Sequence, residues 1–475
     1  MWGYLYGPDF GPFAQITKAL GFGPPPFFTQ TGMLFSIMNI VNWAFIGYNM
    51  ILIYAALRSI PGELYEAARV DGASEVRIAW SIKIPAIRPA LLLTIIFSVI
   101  GTFQLFTEPK LMFNLAPNVI GTAWTPNLYA YNVSFVNQDA NYAAALAFLL
   151  GIVIIDRFLR RPTQRPTEGA PLMTTITPAT TSTSSSPNRP PGARPASPTS
   201  WLLTVFVLIC VGYFLLPLFW LVVASTKSNA DLFSSFGLWF ANFNLFENIK
   251  TVLTFQDGVF VRWALNSVIY AVVSAVGASF LATAAGYAFA KYQFPGGTAL
   301  FAIILGAIMV PVAALTVPTY LLFARANLTD TYLAVILPSL ATPFGVFLMR
   351  VYAADAIDTS LIEAGRVDGV GELRIFFTIA FRLLLPGSVT VLLFALVASW
   401  NNYFLPLIML NSPEKFPLPV GLAQWASTAT GGSGSQALFS TVITGSLLSI
   451  IPLVIAFLFL QRYWQSGLAA GGVKA

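Results

Sequence analysis

The residues of this chain that can do chemistry in water are concentrated in a stretch that occurs twice. The first copy runs from Leu64 to Ile78 (LYEAARVDGASEVRI) and the second from Leu361 to Ile375 (LIEAGRVDGVGELRI). Ten of the fifteen aligned positions are identical, at a constant offset of 297 residues. Both copies carry Glu, Asp and Arg side chains and lie between long apolar runs. Because the two polar segments are so similar, we predict that each is a docking site for the same kind of partner.

The residue types that most catalytic and metal sites need are missing from the sequence. It has no His, which excludes Ser-His catalysis and His-ligated metals. The lone Cys210 lies inside an apolar run, forms no intrachain disulfide and is expected to pack or to face lipid. No phosphate-binding loop of the form G-x-x-x-x-G-K-S/T occurs. We therefore assign no catalytic residue, no metal and no directly bound cofactor, and any ATP that drives the protein must bind another chain.

The composition is that of an integral membrane protein. Hydrophobic residues make up 56% of the 475 residues and charged residues only 9%, against about 25% charged in typical soluble domains. The net charge of +6 raises the alternative of nucleic-acid binding. However, Lys and Arg cluster in short loops and form no basic patch interleaved with aromatic residues. The positive-inside rule accounts for this distribution, so we expect membrane lipid and no nucleic acid as partners.

Apolar runs of about 20 residues, the length of a helix that crosses a bilayer, predict an all-α fold with about nine transmembrane helices. Three spans are predicted before the middle of the chain and six after it, at 33–57, 89–107, 142–159, 201–225, 263–290, 298–323, 331–352, 386–405 and 437–461. Positive charges place loops 58–90 and 353–386 and the C-terminus in the cytoplasm of a multi-pass protein of the cell membrane. Residues 1–32 are then an interfacial loop outside, and we expect further helices before them.

Residues 162–200 separate two units. They are dominated by Pro, Ser, Thr, Gly and Arg, a composition that cannot bury enough apolar surface to fold. We predict a disordered cytoplasmic linker between a first unit at 1–161 and a second at 201–475. Under the 297-residue offset, the first two spans of the first unit match the fourth and fifth of the second, so the first unit corresponds to the second without its first three helices. Such repetition is typical of transporters with a pseudo-symmetric pathway.

The repeated stretch predicts two short helices joined by a glycine turn. In the first copy Pro61 suits the first turn of a helix, with Ser59 nearby as a cap. Gly72 permits the left-handed conformation that ends a helix, and Ser74 can cap the next one. For a single copy, the alternative is a solvated loop whose charges keep it out of the membrane. The repetition favours a docking element.

The first copy contains Glu66-Ala67-Ala68, then Gly72, then Ile82-Lys83-Ile84-Pro85, in a longer stretch at 60–73 that reads IPGELYEAARVDGA. This arrangement resembles the signature loop of binding-protein-dependent ABC importer permeases, and the longer form is similar to the carbohydrate-uptake branch of maltose-transporter-like permease pairs. Further similarity lies in the sequences GPDFG, FQLF and WNNYFLPL, which begin at Gly7, Phe103 and Trp400. The resemblance covers nearly everything but the linker.

The resemblance implies a type I ABC importer permease fold, with the C-terminal half of one permease fused to a complete second one. It also implies that each loop is a coupling helix seated on one of two ABC ATPase subunits, which bind ATP and Mg, and that an extracytoplasmic solute-binding protein delivers a sugar. The residues that carry the coupling role by this resemblance are Glu66, Ala67, Ala68, Asp71, Gly72, Glu363, Ala364, Gly365, Asp368 and Gly369.

The second copy departs from the signature at two positions. Gly365 stands in place of the second Ala, which preserves a close approach but weakens the helix by about 1 kcal/mol. Arg382 stands where the first copy has Pro85. We expect both loops to bind an ATPase, and the first matches the family signature better. How the second loop leads into its span is left open.

Polar and aromatic side chains in the spans after each motif are candidates for the substrate path. Amides can bond sugar hydroxyls as donor and acceptor, and aromatic rings stack on sugar faces. The main candidates are Gln104, Phe106, Trp400, Asn401, Asn402 and Tyr403, and the secondary ones are Asn39, Asn42, Trp43 and Asn49. Bonds between helices and interfacial aromatic belts are the alternative for each. Glu108 and Lys110 are expected at the outer surface, where the binding protein docks.

Three alternatives to a sugar importer remain at this point. One is an ABC permease for another solute, such as a glycerol phosphodiester or a peptide. Another is an ion-coupled carrier, which needs a carboxylate inside the membrane, and the predicted spans offer almost none beyond Asp156 at a boundary. The third is a non-functional product of gene truncation and fusion.

Overall fold

In the computed structural model, the described part of the chain comprises residues 1–9, 11–58, 60–139, 141–146, 149, 152, 201–309, 312–430 and 438–470. Within these ranges all regular secondary structure is helical. The predicted linker and most of the predicted span 142–159 lie outside the described residues, so both stay predictions.

The part of the chain before the linker has two long helices, α3 and α7, that coincide with its first two predicted spans. Its α-helices are α1 (Trp2–Leu5), α2 (Pro12–Ala19), α3 (Gln30–Arg58), α4 (Gly62–Val70), α5 (Glu75–Ile78), α6 (Ile84–Ala86), α7 (Arg88–Phe103), α8 (Thr107–Leu115) and α9 (Pro126–Tyr131). It also has a 3₁₀ turn at Pro26–Phe28 and π-helical turns at Ala79–Lys83 and Asn132–Val136.

The part of the chain from residue 201 onwards alternates long helices with short ones. Its α-helices are α10 (Trp201–Ser225), α11 (Asn229–Ser234), α12 (Leu245–Thr254), α13 (Val259–Lys291), α14 (Gly297–Met309), α15 (Val312–Arg325), α16 (Tyr332–Ser339), α17 (Pro343–Ala356), α18 (Thr359–Val367), α19 (Glu372–Ile375), α20 (Phe381–Trp400), α21 (Phe404–Met409), α22 (Leu418–Thr430) and α23 (Phe439–Ala470). A π-helical turn lies at Phe376–Ala380 and a 3₁₀ turn at Pro413–Lys415.

Several described helical segments are long and apolar enough to cross a membrane. They are Trp201–Ser225, Val259–Lys291, Tyr332–Ala356, Glu372–Trp400 and Phe439–Leu460, with the bent pair Glu75–Ala86 and Ala90–Phe103 as a further candidate. The unbent segments and Ala90–Phe103 overlap predicted spans, whereas Glu75–Ala86 lies in the predicted loop 58–90. The all-α, multi-pass membrane fold is confirmed. The count of about nine spans stays a prediction.

Helix α13 is the centre of the second unit because its small side chains let α17 and α20 approach closely. These buried residues recur at helical spacing and include Ala271, Ala275, Ala278, Ala282 and Gly286. Close approach of backbones is the main way in which helices pack inside a membrane. Between them, the Ser279 hydroxyl donates a hydrogen bond to the Ser388 carbonyl oxygen of α20 at 2.7 Å.

A cluster around Asp330 joins two loops that the predicted topology places outside. Lys415 Nζ lies 2.8 Å from Asp330 Oδ2, and the backbone N–H of Ser412 donates to the same carboxylate at 3.0 Å. Burial alone would raise the pKa of Asp330, but hydrogen bonds from Lys415, Ser412 and Asn411 outweigh it and lower the pKa well below its ordinary value. The Trp263 indole N–H donates to the Pro413 carbonyl oxygen at 2.8 Å, which holds the cluster on α13.

The two units share one apolar core. The Tyr4 ring stacks on Trp220 at a centroid distance of 5.8 Å, and the Phe106 and Phe404 ring centroids are 4.1 Å apart. The prediction of a loop at residues 1–32 is therefore wrong in part. This segment forms α1 and α2 and buries Trp2, because its aromatic rings pack against the second unit.

Candidate functional site

The backbone of the two repeated loops has the same conformation. Helices α4 and α18 are each nine residues long and occupy equivalent positions. Each ends at a glycine with positive φ, 77° at Gly72 and 71° at Gly369, and a four-residue helix and a five-residue π-helical turn follow. The Ser74 hydroxyl caps α5 by accepting the Arg77 N–H at 3.3 Å. The predicted helix, glycine turn and second helix are confirmed in both copies, while Ser59 lies outside the described residues.

Each glycine turn is closed by the two hydrogen bonds of a Schellman motif. In the first loop the Gly72 N–H donates to the Arg69 carbonyl oxygen at 3.0 Å, and the Ala73 N–H donates to that of Ala68 at 2.9 Å. The second loop repeats both bonds at the same distances. Because φ is positive at the glycine, any other side chain there is strained.

An ion pair crosses the turn in each loop. Arg69 Nε lies 2.8 Å from Glu75 Oε1, and Arg366 Nε lies 2.6 Å from Glu372 Oε1. In both loops the hydrogen bond from the arginine is the main reason that the pKa of the glutamate is lowered. Exposed ion pairs contribute little to stability, so their main effect is to orient the two short helices.

The residues assigned to the coupling role lie mostly at the surface. Ala68 is half-buried and Gly365 is buried. The others are exposed, namely Glu66, Ala67, Asp71, Gly72, Glu363, Ala364, Asp368 and Gly369. Each loop thus presents a polar surface to the cytoplasmic side of the predicted topology.

Each loop also exposes apolar side chains that the sequence reasoning did not single out. Val70 and Val367 are equivalent and are 88% and 87% exposed, and Val76 and Leu373 are equivalent and are 69% and 77% exposed. Their shared apolar character in two polar loops was the available signal. We call Val70 with Val76, and Val367 with Leu373, the apolar tips of the two loops. Apolar groups ringed by polar ones are typical of protein interfaces.

The loops differ in how they are held to the rest of the chain. Tyr292, directly after α13, donates its hydroxyl to Glu372 Oε2 at 2.5 Å. The second loop is thereby tied to the central helix of its unit. In the first loop, Glu75 has Arg69 as its hydrogen-bond partner, and the described residues provide no counterpart of Tyr292.

The loops also lead into their spans differently. The pair Glu75–Ala86 and Ala90–Phe103 is bent by 73°, whereas Glu372–Trp400 runs as one 29-residue segment. Pro85 and Pro89 lie at the bend, and Pro removes a helix hydrogen bond. The second copy has Arg382 in place of Pro85, and its Pro386, which matches Pro89, lies inside a continuous helix. The difference between the copies is therefore at Pro85.

Gly365 packs against a buried isoleucine. A Cβ at this position would lie 3.2 Å from Ile375 Cγ1, which is a tight contact. In the first loop Ala68 occupies the equivalent position and Ile78 is the equivalent buried residue. An alanine is therefore compatible with this arrangement.

We expect Gly365→Ala to raise the free energy of unfolding by up to about 1 kcal/mol, because alanine favours the helix by that amount. The reciprocal change Ala68→Gly should lower it by about the same amount. Both are measured by SDS titration of the full chain in mixed micelles. A marked loss of stability in Gly365→Ala would contradict the equivalence of the two loops.

A cavity of about 440 Å³ lies where the two units meet. Its wall comes from α1, α3 and α8 on one side and from α22, α23 and the end of α20 on the other. Aromatic and polar members stand among aliphatic ones and include Trp2, Tyr4, Trp43, Thr107, Glu108, Asn114, Asn401, Tyr403 and Ser446. A largely apolar wall with a few polar groups is typical of sites for small molecules. Across the described ranges, no cluster of His, Cys, Asp and Glu suits a metal ion.

Two of the main path candidates, Asn401 and Tyr403, and the secondary candidate Trp43 line this cavity. Gln104 and Phe106 occupy the equivalent positions of the first unit but do not belong to the lining. Gln104 and Asn401 nevertheless have the same backbone conformation. Each directly follows the last residue of its helix and has a φ of −88°. The pseudo-symmetry of the units therefore extends from the loops to the ends of the following helices.

Three other main path candidates, Phe106, Trp400 and Asn402, make contacts within the helical bundle. Phe106 packs on Phe404, as described above. The Trp400 indole N–H donates to the Ser449 carbonyl oxygen at 3.2 Å. The Asn402 side-chain oxygen accepts a backbone N–H at the start of α21 at 3.3 Å. These contacts fit the alternative of packing between helices, and a role in the substrate path stays a prediction.

That Glu108 and Lys110 lie at the outer surface stays a prediction, but neither side chain is fully exposed. Both are half-buried, because α8 folds back against α3 and α22. Glu108 lines the cavity, and Lys110 Nζ lies 4.8 Å from the Tyr131 ring centroid. Burial raises the pKa of Glu108 and lowers that of Lys110.

Two stretches of the chain, residues 20–166 and 278–468, match the protein family described as "Binding-protein-dependent transport system inner membrane component". Together they cover more than half of the chain. Each stretch contains one of the repeated loops.

Similar proteins include the arabinooligosaccharides transport system permease protein AraQ of Halalkalibacterium halodurans, which is 35% identical over 284 residues, 59% of this chain and 99% of that protein. The lactose transport system permease protein LacG of Rhizobium radiobacter is 30% identical over 261 residues, 54% of this chain and 90% of that protein. A crystal structure of a bacterial ABC transporter involved in the import of the acidic polysaccharide alginate aligns with a TM-score of 0.50 and 23% identity, over 56% of this chain and 98% of that chain. This last likeness shows the fold.

Proposed function

Because the chain belongs to the family of binding-protein-dependent transport system inner membrane components, we propose that it is the membrane-spanning part of an ATP-driven sugar importer. Two permease units fused in one chain form a pathway between them. The observation that carries this proposal is the pair of loops with one backbone, one ion pair and equivalent exposed apolar tips. Two such surfaces suit two copies of one kind of partner.

In this proposal each loop docks on one ABC ATPase subunit, and the subunits bind ATP and Mg. The apolar tips enter a groove on the subunit, and the exposed glutamates Glu66 and Glu363 bond to its rim. When the ATPase dimer closes, the loops move together and turn the membrane units against each other. The linker and the C-terminus lie in the cytoplasm with the ATPases, and the protein resides in the cell membrane.

A sugar is the proposed substrate. The relatives named above transport arabinooligosaccharides and lactose, according to their names. In this chain the cavity between the units combines aromatic rings with amide, hydroxyl and carboxyl groups, which suit the faces and hydroxyls of a sugar. An extracytoplasmic solute-binding protein delivers the sugar to the side that carries the Asp330 cluster.

The test is association and transport by the full chain. We expect the chain, co-expressed with sugar-type ABC ATPase subunits, to co-purify with them and to support ATP-dependent uptake of a labelled oligosaccharide with its binding protein. Glu66→Ala with Glu363→Ala should weaken the association by about 10-fold or more, since hydrogen bonds to charged groups are worth about 1.5–3 kcal/mol.

Glu247→Ala is the matched control, because Glu247 is exposed and lies between α10 and α13, on the opposite side of the predicted topology. It should leave the association unchanged. The proposal fails if the chain and the ATPase subunits do not associate, or if the two loop glutamates can be removed without effect.

A further inference from the structure

The cavity between the units is lined by one carboxylate side chain, and none of its described lining residues is a Lys or Arg. Its charged lining residue is Glu108, and its other polar members are amide, hydroxyl and indole groups. No Lys or Arg of the described ranges lies within ion-pair distance of Glu108. Lys110, two residues further on, is turned to the rings of Tyr131 and Phe113 at 4.8 and 5.8 Å. The carboxylate of Glu108 therefore has no ion-pair partner among the described Lys and Arg side chains.

The position of Glu108 is built into the fold. It lies in the first turn of α8, where a carboxylate is favoured by the helix dipole. Burial raises the pKa of Glu108, which reflects the cost of a charge in this poorly solvated place. A second negative charge in the same cavity adds to that cost.

The part of the cavity wall that α1 and α3 form suits a neutral ring. Trp2 and Tyr4 of α1 and Trp43 of α3 present aromatic side chains, on which the apolar faces of sugars stack. The Trp2 indole N–H is buried and has no hydrogen-bond partner among the described residues. The Glu108 carboxylate offers an acceptor for sugar hydroxyls.

We propose that this cavity admits neutral glycans and rejects glycans that carry carboxylates, and that Glu108 is the residue that makes this selection. The inference rests on the proposed function and narrows its substrate class to uncharged sugars. For two unit charges about 6 Å apart at an effective dielectric constant of about 20, Coulomb repulsion lowers the affinity for a uronate about 100-fold.

The test uses the full chain in lipid nanodiscs with two probes, maltotriose as the neutral glycan and triguluronate as the anionic one. Saturation-transfer NMR detects weak binding of each. We expect maltotriose to bind and triguluronate to bind about 100-fold more weakly. In Glu108→Gln the affinity for triguluronate should rise towards that for maltotriose, while maltotriose affinity changes by less than about threefold.

Two further variants test whether the discrimination depends on the negative charge of residue 108, and whether any exposed carboxylate would have the same effect. Glu108→Asp keeps the charge and should keep the discrimination. Glu247→Gln removes an exposed carboxylate outside the cavity and should change neither affinity. The selection is overturned if the wild-type chain binds both probes equally, or if Glu108→Asp loses the discrimination while folded. If neither probe binds the wild-type chain, the sugar assignment of the cavity fails as well.

Discussion

A chain that carries both Val70→Lys and Val367→Lys is expected to lose its association with ABC ATPase subunits. Both valines are almost fully exposed at the ends of α4 and α18, so neither substitution disturbs a core. Lysine is also favourable in the last turn of a helix, which leaves the loop folded. Losing a buried apolar anchor at an interface costs about 2 kcal/mol or more, so we expect about a 30-fold loss of affinity at each loop.

The affinity is measured by titrating labelled ATPase subunits onto the purified chain, and uptake is measured in vesicles. Val136→Lys is the matched control, because Val136 is 63% exposed but lies in the π-helical turn after α9, on the opposite side of the predicted topology. The single variants should each keep one working loop and show partial association. If the double variant still associates and transports like the wild type, the apolar tips are not the docking surface.

The second large effect is expected where α13 crosses α17. A Cβ at Gly286 would lie 2.7 Å from the backbone nitrogen of Arg350 and 2.7 Å from the carbonyl carbon of Met349. Backbone atoms cannot turn aside as the end of a side chain can, so Gly286→Ala forces the two helices apart. Overpacking of this kind costs about 1–3 kcal/mol, and we expect the free energy of unfolding to fall by about 2 kcal/mol.

Helix α13 itself offers the matched control, Gly277→Ala. There an added Cβ meets mainly the terminal Cδ2 of Leu340, which can move. We expect Gly277→Ala to be neutral or to stabilise the helix by up to about 1 kcal/mol. Both variants are compared by SDS titration in mixed micelles. Equal stability of the two variants would contradict the close crossing at Gly286.

The sequence alone predicted those features that depend on residues close together in the chain. The glycine turns at Gly72 and Gly369 and the cap at Ser74 follow from local backbone preferences, and they form as predicted. The membrane spans follow from the length of apolar runs, and the repeat follows from comparing the chain with itself. The family resemblance rested on the same local motif, and the match over residues 20–166 and 278–468 agrees with it.

The tertiary structure decided which of these residues face a partner and which face each other. Val70 and Val367 are exposed, and Gly365 is buried against Ile375. Glu108, which was predicted at the outer surface, lines a cavity. The cavity depends on contacts between segments far apart in the sequence, such as that of Tyr4 in α1 with Trp220 in α10. Local preferences fix the shape of one turn, but burial depends on what packs against it, and that follows only once the helices of both units are assembled.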